Sequence, residues 1–247
     1  MPSNKLVAAL SIVLLLIGCN LAPRGGIRAP PAGRAPPTPL NPVLAPRGTA
    51  VYRVDADRSE LRVLVFRAGP MARLGHDHVI VNRALAGWIE PSAGSDPASF
   101  RLELPVAAFA VDETAARLAE GADFAAEIGD DAKQGTRHNL LGPALLDADA
   151  YPTIVVRSIG IEAGDGDETA LVATVSIVVA GHESRQRIGF VLARTATQLI
   201  ASADFRLRQS SLGLTPYSIM MGALQVQDEF RVKLRLVASL STGDVDP

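Results

Sequence analysis

Hydrophobic and polar residues alternate along much of the chain between residues 51 and 238. In the clearest run, Val226, Phe230, Val232, Leu234 and Leu236 fall on one face, and charged or amide side chains fall on the other. A period of two residues is that of a β-strand with one buried and one solvated face. Further runs of this kind lie at 60–65, 84–90, 101–106, 153–162, 170–180, 185–192 and 199–208. The pattern predicts an all-β fold, an antiparallel sheet closed into a barrel or a sandwich.

The alternation stops between residues 112 and 143, where alanines are frequent. Asp112 is placed to cap a short helix that starts at Glu113 and ends at Gly121. A second turn is bracketed by Asp123 and Gly129, and a third helix over 131–141 is stopped by Gly142 and Pro143. The sequence therefore predicts a helical insertion that forms a lid or plug of the sheet structure.

Residues 1–18 have the pattern of a lipoprotein signal peptide. Lys5 precedes an apolar run over 6–17, which is too short to span a bilayer and typical of a secretory signal. The run leads to Cys19, the single cysteine of the chain, and resembles a bacterial lipobox. This resemblance implies that Cys19 is lipidated and becomes the mature amino terminus. The alternative is a plain signal peptide or anchor helix with an incidental cysteine.

Residues 19–49 are predicted to be the lipidated cysteine and a linker. Residues 20–49 contain eight prolines, four arginines and no acidic residue, so they have little to bury and favour extended conformations. The predicted barrel domain follows over 50–240, and residues 241–247 form a tail.

Composition and motifs limit the function. Lys and Arg total 24 and Asp and Glu 26, a net charge of −2 that argues against nucleic-acid binding. One cysteine makes neither an intramolecular disulfide nor a multi-cysteine metal site. The sequence lacks a nucleophile elbow, a P-loop, a dinucleotide fingerprint and an H-E-x-x-H motif, so we expect a protein that is not an enzyme and needs no cofactor.

Several segments, taken in order, resemble the YceI-like family of periplasmic, lipid-binding, lipocalin-like barrels. They are Tyr52-Arg53-Val54-Asp55 with Ser59, the segment 147–154 with Ser158, Val178-Val179-Ala180-Gly181, the turn 210–214, and Val226-Gln227-Asp228. The resemblance implies an antiparallel eight-stranded barrel with a short helical insertion, whose cavity holds a polyisoprenoid or similar amphiphile. Two features depart from the family: Arg58 stands where typical members carry His, and histidines appear instead at residues 76 and 78.

The residue types at inward positions favour such a cavity. Small side chains leave volume in an eight-stranded barrel, and aliphatic walls suit an isoprenoid or acyl chain. The predicted ligand-binding residues are Ala173, Val175, Ile177, Ala201, Ala203 and Phe205, and we expect Ala84 and Ala86 to face inward as well. The alternative is a barrel filled by its own side chains.

The histidines suggest a second function. His76 and His78 are two residues apart, so on a strand both rings project to the same face. Two imidazoles on one face can supply two ligands of a zinc or copper site, with His138 as the preferred further ligand and His182 or Asp77 as the alternatives. The alternative role of these histidines is to tie the turn over 75–79 to backbone groups.

The sequence thus predicts a lipid-anchored binding protein of the bacterial cell envelope that faces the periplasm. Asn20, and not Asp, follows Cys19, which in enterobacterial lipoproteins would imply the outer membrane. The expected partners are the membrane, through the amino-terminal lipid, and an amphiphilic small molecule. Whether the chain also forms a homodimer is left open.

Replacing Cys19 with Ala tests the lipobox. A single acyl chain holds a protein to a membrane only marginally, so stable anchoring needs the several chains that lipoprotein processing adds. We expect the Cys19→Ala chain to leave the membrane fraction when cells are fractionated, with Ser11→Ala as the control. Equal membrane association of the Cys19→Ala and native chains would show the lipobox prediction to be wrong.

Overall fold

The computed structural model describes residues 50–93, 97–166 and 168–241. The predicted signal peptide, Cys19, the linker and the tail beyond residue 241 lie outside the described residues.

Twelve strands of the described chain form one sheet, and all of its paired strands are antiparallel. The strands are β1 (Val51–Val54), β2 (Glu60–Ala68), β3 (His78–Asn82), β4 (Ala86–Glu90), β5 (Ser99–Pro105), β6 (Ala110–Val111), β7 (Thr153–Ala163), β8 (Ala170–Val179), β9 (His182–Arg194), β10 (Gln198–Arg208), β11 (Ser218–Ile219) and β12 (Leu224–Ser241).

The sheet closes on itself because β1 pairs with β4 on one side and with β12 on the other. Three barrel strands are each interrupted by a short break: β1 continues into β2, β3 into β4, and β5 into β6. Counted with these pairs as single strands, the described chain forms an eight-stranded antiparallel barrel that runs up and down in chain order. The predicted all-β fold and the eight-stranded barrel are confirmed.

The break between β1 and β2 is bridged by Ser59. A 3₁₀ turn over Ala56–Arg58 separates the two strands, and both lie along β12. The Ser59 hydroxyl accepts a hydrogen bond from the Val237 N–H (3.0 Å) and donates one to the Val237 carbonyl (3.3 Å). A side chain thus supplies the hydrogen bonds that the sheet ladder lacks at this point, as buried backbone groups require.

The inward prediction for Ala84 and Ala86 is wrong, since both residues are exposed. The chain leaves β3 at Asn82, whose side chain accepts a hydrogen bond from Ala84 N–H and donates one to the Pro105 carbonyl. This break shifts the alternation by one residue, so that Leu85 and Ile89 face the interior instead.

The helical insertion lies between β6 and β7. It contains α1 (Thr114–Ala119), a 3₁₀ turn (Ala122–Phe124) and α2 (Asp130–Leu141). The predicted end of the last helix is confirmed, because α2 stops at Gly142. The predicted cap at Asp112 is wrong: α1 begins one residue later, after Glu113, and Asp112 is buried in a left-handed conformation (φ 54°). None of the described helices is long and apolar enough to cross a membrane.

The two ends of the barrel differ. The connections β2–β3, β6–β7, β8–β9 and β10–β12 lie at one end, called here the helical end because α1 and α2 belong to it. The start of β1 and the finish of β9 and β12 lie at the other, called here the terminal end. Arg137 of α2 donates hydrogen bonds to the carbonyls of Ala107 and Phe109, which ties this helix to the chain beside β6.

Gly87 is required by the close approach of β4 to β5. Its φ is +146°, and a Cβ there would lie 2.1 Å from the Arg101 carbonyl oxygen. We expect Gly87→Ala to lower the free energy of unfolding by about 1–3 kcal/mol, because the clash is with backbone. Urea unfolding measures this loss.

Gly189→Ala is the matched control, since Gly189 also lies within a strand and a Cβ there would have no neighbour within 4 Å. Alanine loses less conformational entropy than glycine on folding. This change should therefore leave the free energy of unfolding the same or raise it by up to about 1 kcal/mol. Equal destabilisation by the two substitutions would contradict the close approach.

Candidate functional site

A cavity of about 470 Å³ occupies the inside of the barrel. Its walls are the inward-facing residues of the barrel strands, and most are aliphatic or aromatic. Strand β2 contributes Leu61, Val63 and Val65 to the wall. Strand β12 contributes the residues that the alternation predicted to share a face, namely Val226, Phe230, Val232, Leu234 and Leu236. The barrel is therefore hollow rather than filled by its own side chains.

All six predicted ligand-binding residues line this cavity. They come from two strands, with Ala173, Val175 and Ile177 on β8 and with Ala201, Ala203 and Phe205 on β10. Ala201 pairs with Leu192 of β9 and with Leu236 of β12, so the small side chain stands between two larger ones in the wall. Their placement agrees with the alternation of the sequence, and their contact with a ligand stays a prediction.

The sequence reasoning missed other parts of the wall. Phe190 on β9 and Phe100 on β5 line the cavity, and the alternation of both strands was a signal that could have found them. Leu140 of α2 and the following Leu145 and Leu146 line it as well. No strand pattern indicates these three, because their inward position depends on how the helical insertion packs against the barrel.

The polar residues of the lining are concentrated at the ends of the cavity. Arg67, His76 and His78 line it at the helical end, where β2 finishes and β3 begins. Glu90 and Arg194 line it at the terminal end, where β4 and β9 finish. The middle of the cavity is apolar, so the site suits a long apolar molecule with a polar end.

A buried carboxylate lies behind His78. Asp112 is fully buried, and its Oδ2 is 2.6 Å from His78 Nδ1. Its Oδ1 accepts hydrogen bonds from Val79 N–H (2.9 Å) and from Arg117 Nη1 (2.7 Å). Burial by itself would raise the pKa of Asp112, but the hydrogen bonds from His78, Val79 and Arg117 outweigh it and hold that pKa below its ordinary value.

This arrangement fixes the imidazole of His78. An ionised carboxylate only accepts hydrogen bonds, so Nδ1 of His78 carries the proton that it shares with Asp112. Arg117 is itself buried and also donates to the Asp77 carbonyl (2.7 Å). The network joins β3 to α1 and thereby connects the cavity wall to the helical insertion.

The structure brings two of the three predicted metal ligands to the cavity. His76 and His78 both line it, in agreement with their predicted common face, whereas His138 lies in the last turn of α2 and is not among the lining residues. Among the residues described here, no group of three or more His, Cys, Asp or Glu side chains is placed to hold a metal ion. The structure therefore gives the metal hypothesis no support.

Comparison with known proteins identifies the fold. No family profile and no curated protein matches the sequence. Among solved structures, BcnA of Burkholderia cenocepacia matches with a TM-score of 0.53 and 15% identity, over 74% of this chain and 98% of its own. A polyisoprenoid-binding domain from Saccharophagus degradans, implicated in plant cell wall breakdown, matches with a TM-score of 0.52 and 12% identity, over 77% and 98%. The chain has the barrel fold of these two proteins, which confirms the fold that the sequence resemblance implied.

The pKa of Asp112 predicts how stability depends on pH. Because the folded pKa is below the unfolded value of about 3.9, Asp112 stabilises the fold fully above that value and ceases to do so as pH falls through the folded pKa. Asp112→Asn leaves Arg117 buried without its counter-charge, so we expect it to lower the free energy of unfolding at about pH 7 by roughly 3–5 kcal/mol. We also expect this deficit to shrink on acidification. Urea unfolding at several pH values measures both.

Asp204→Asn is the control, because Asp204 forms an exposed ion pair with Arg231 on the outer face. Such pairs contribute less than about 1 kcal/mol. Equal losses from the two substitutions, or a deficit of the Asp112→Asn variant that stays constant with pH, would contradict the role of the buried carboxylate.

Proposed function

We propose that this chain is a YceI-like binding protein that holds a polyisoprenoid or a similar amphiphile inside its barrel. The observation that carries the proposal is the cavity of about 470 Å³ with a continuous apolar wall. Cavities of this size and lining bury most of the surface of a small apolar ligand. Each Å² of apolar surface transferred from water to such a wall contributes roughly 25 cal/mol.

The fold supports this proposal. One of the two proteins that share it is described as a polyisoprenoid-binding domain, and this chain matches 98% of that domain. The resemblance of segments from Tyr52 to Asp228 to the YceI-like family points to the same class of ligand. A binding role, and not catalysis, is the function that these observations favour together.

The place of the protein in the cell is part of the proposal. The lipobox at Cys19 and the proline-rich linker support a lipid-anchored protein of the cell envelope that faces the periplasm. If fully extended, the thirty residues of the predicted linker would span roughly 90 Å at about 3.1 Å each.

Filling the cavity tests the proposed function. Ala201→Phe and Ala203→Phe place a large ring on the inner wall, where space is available, so the fold should persist while ligand volume is lost. We expect the affinity of the full chain for a fluorescent long-chain isoprenoid probe to fall at least about tenfold in each variant, a change of about 1.4 kcal/mol in binding free energy.

Ser202→Phe is the matched control, because residue 202 lies on the same strand between the two alanines and is exposed on the outer face. This variant should bind the probe as the native chain does. Unchanged affinity in both alanine variants, or no binding of the probe by the native chain, would rule out the cavity as the ligand site.

A further inference from the structure

Three basic side chains, those of Arg67, His76 and His78, line the helical end of the cavity and are called here the cationic cluster. Arg67 continues the inward row of β2 and pairs across the sheet with Val226, another inward residue. His78 pairs with Val65, which precedes Arg67 by two residues on β2. His78 therefore faces the cavity on the strand next to Arg67. His76 precedes it by two residues and lines the cavity too. All three side chains therefore stand at one end of a long apolar space.

The cluster presents the Arg67 guanidinium, two imidazole rings and no acidic group to the cavity. Arg67 is held by a hydrogen bond from its Nη1 to the Gly75 carbonyl (2.9 Å), and its Nε lies 3.8 Å from Asp77 Oδ1. Glu90 is the one acidic residue among the described residues that line the cavity, and it lies at the terminal end. Among the described lining residues, the helical end thus carries the Arg67 guanidinium and no carboxylate, and Asp77, which pairs with Arg67, lies outside the lining.

Asp112 orients His78 in the wall of the cavity. It fixes the ring through Nδ1, while Nε2 makes no hydrogen bond to the residues that the structure describes. The buried Arg117 supplies the counter-charge of Asp112. Because Asp112 occupies Nδ1, Nε2 is the ring atom of His78 that remains for a ligand in the cavity.

We propose that the cationic cluster binds the head group of an anionic amphiphile whose apolar chain lies along the cavity toward the terminal end. The inference rests on the proposed function and names the ligand class: a long-chain phosphate monoester or carboxylate. The guanidinium of Arg67 makes charge-assisted hydrogen bonds to such oxygens, which are stronger than bonds between neutral groups. The cluster therefore selects anionic over neutral amphiphiles and fixes the direction in which the chain enters the cavity.

Calorimetric titration of the full chain with farnesyl phosphate, farnesol, oleate and oleyl alcohol tests the proposal. Farnesyl phosphate and farnesol share one apolar chain, so the ratio of their affinities measures the head group alone. We expect farnesyl phosphate to bind at least about tenfold more tightly than farnesol. Oleate and oleyl alcohol distinguish two kinds of site. A site for any anionic head group binds oleate more tightly than oleyl alcohol, whereas a site for phosphate only binds the two with equal affinity.

Variants locate the head group. His76→Gln and Arg67→Gln should each weaken farnesyl phosphate binding about tenfold and change farnesol binding less than about twofold. Retained farnesol binding also shows that each variant folds. Arg194→Gln is the matched control, since it removes a cavity-lining arginine from the terminal end.

The outcomes separate the two proposals. If farnesol and farnesyl phosphate bind the native chain equally, or if Arg194→Gln is the substitution that weakens the phosphate, the head-group site is overturned while the binding function stands. If none of the amphiphiles binds, the proposed function itself fails.

Discussion

The pairing of β1 with both β4 and β12 is the interaction on which the rest of the structure depends. It closes the sheet, so each of the eight barrel strands in the described part of the chain pairs with two neighbours over at least part of its length, and every strand acquires an inner and an outer face. The inner positions of β8 and β10 carry alanines among larger aliphatic residues. Because closure fixes the radius of the barrel, these small side chains leave space that the wall cannot collapse to fill. The cavity is thus a consequence of closure and of residue size together.

The helical insertion is attached to the barrel by a buried charge network. Asp112 lies where β6 gives way to α1, and it accepts hydrogen bonds from β3 and from Arg117 of the helix. A buried carboxylate is tolerated only when its hydrogen bonds and counter-charge are complete. The left-handed backbone at this residue directs the chain out of the sheet and into α1. The network therefore fixes the position of the insertion and orients His78 in the cavity wall.

The distribution of polarity in the cavity carries the functional argument. A barrel lined by aliphatic residues throughout would bind any apolar chain in either direction. Here a cationic cluster stands at the helical end, and the residues between it and the terminal end are apolar. The same wall thus offers burial along its length and charge-assisted hydrogen bonds at one point. This asymmetry is the basis on which we propose an oriented amphiphile as the ligand.

The sequence by itself determined the class of fold and the composition of the wall, because alternation with a period of two fixes which side chains share a face once a strand forms. It placed the six wall residues of β8 and β10 on the correct face and placed His76 and His78 together. It misplaced Ala84 and Ala86, since the break after Asn82 shifts the alternation through hydrogen bonds to Pro105 and Ala84. It also took Asp112 for a helix cap. Only the tertiary structure decided these points, because the partners of Asp112 come from β3 and α1, which are apart in sequence and meet only in the closed barrel.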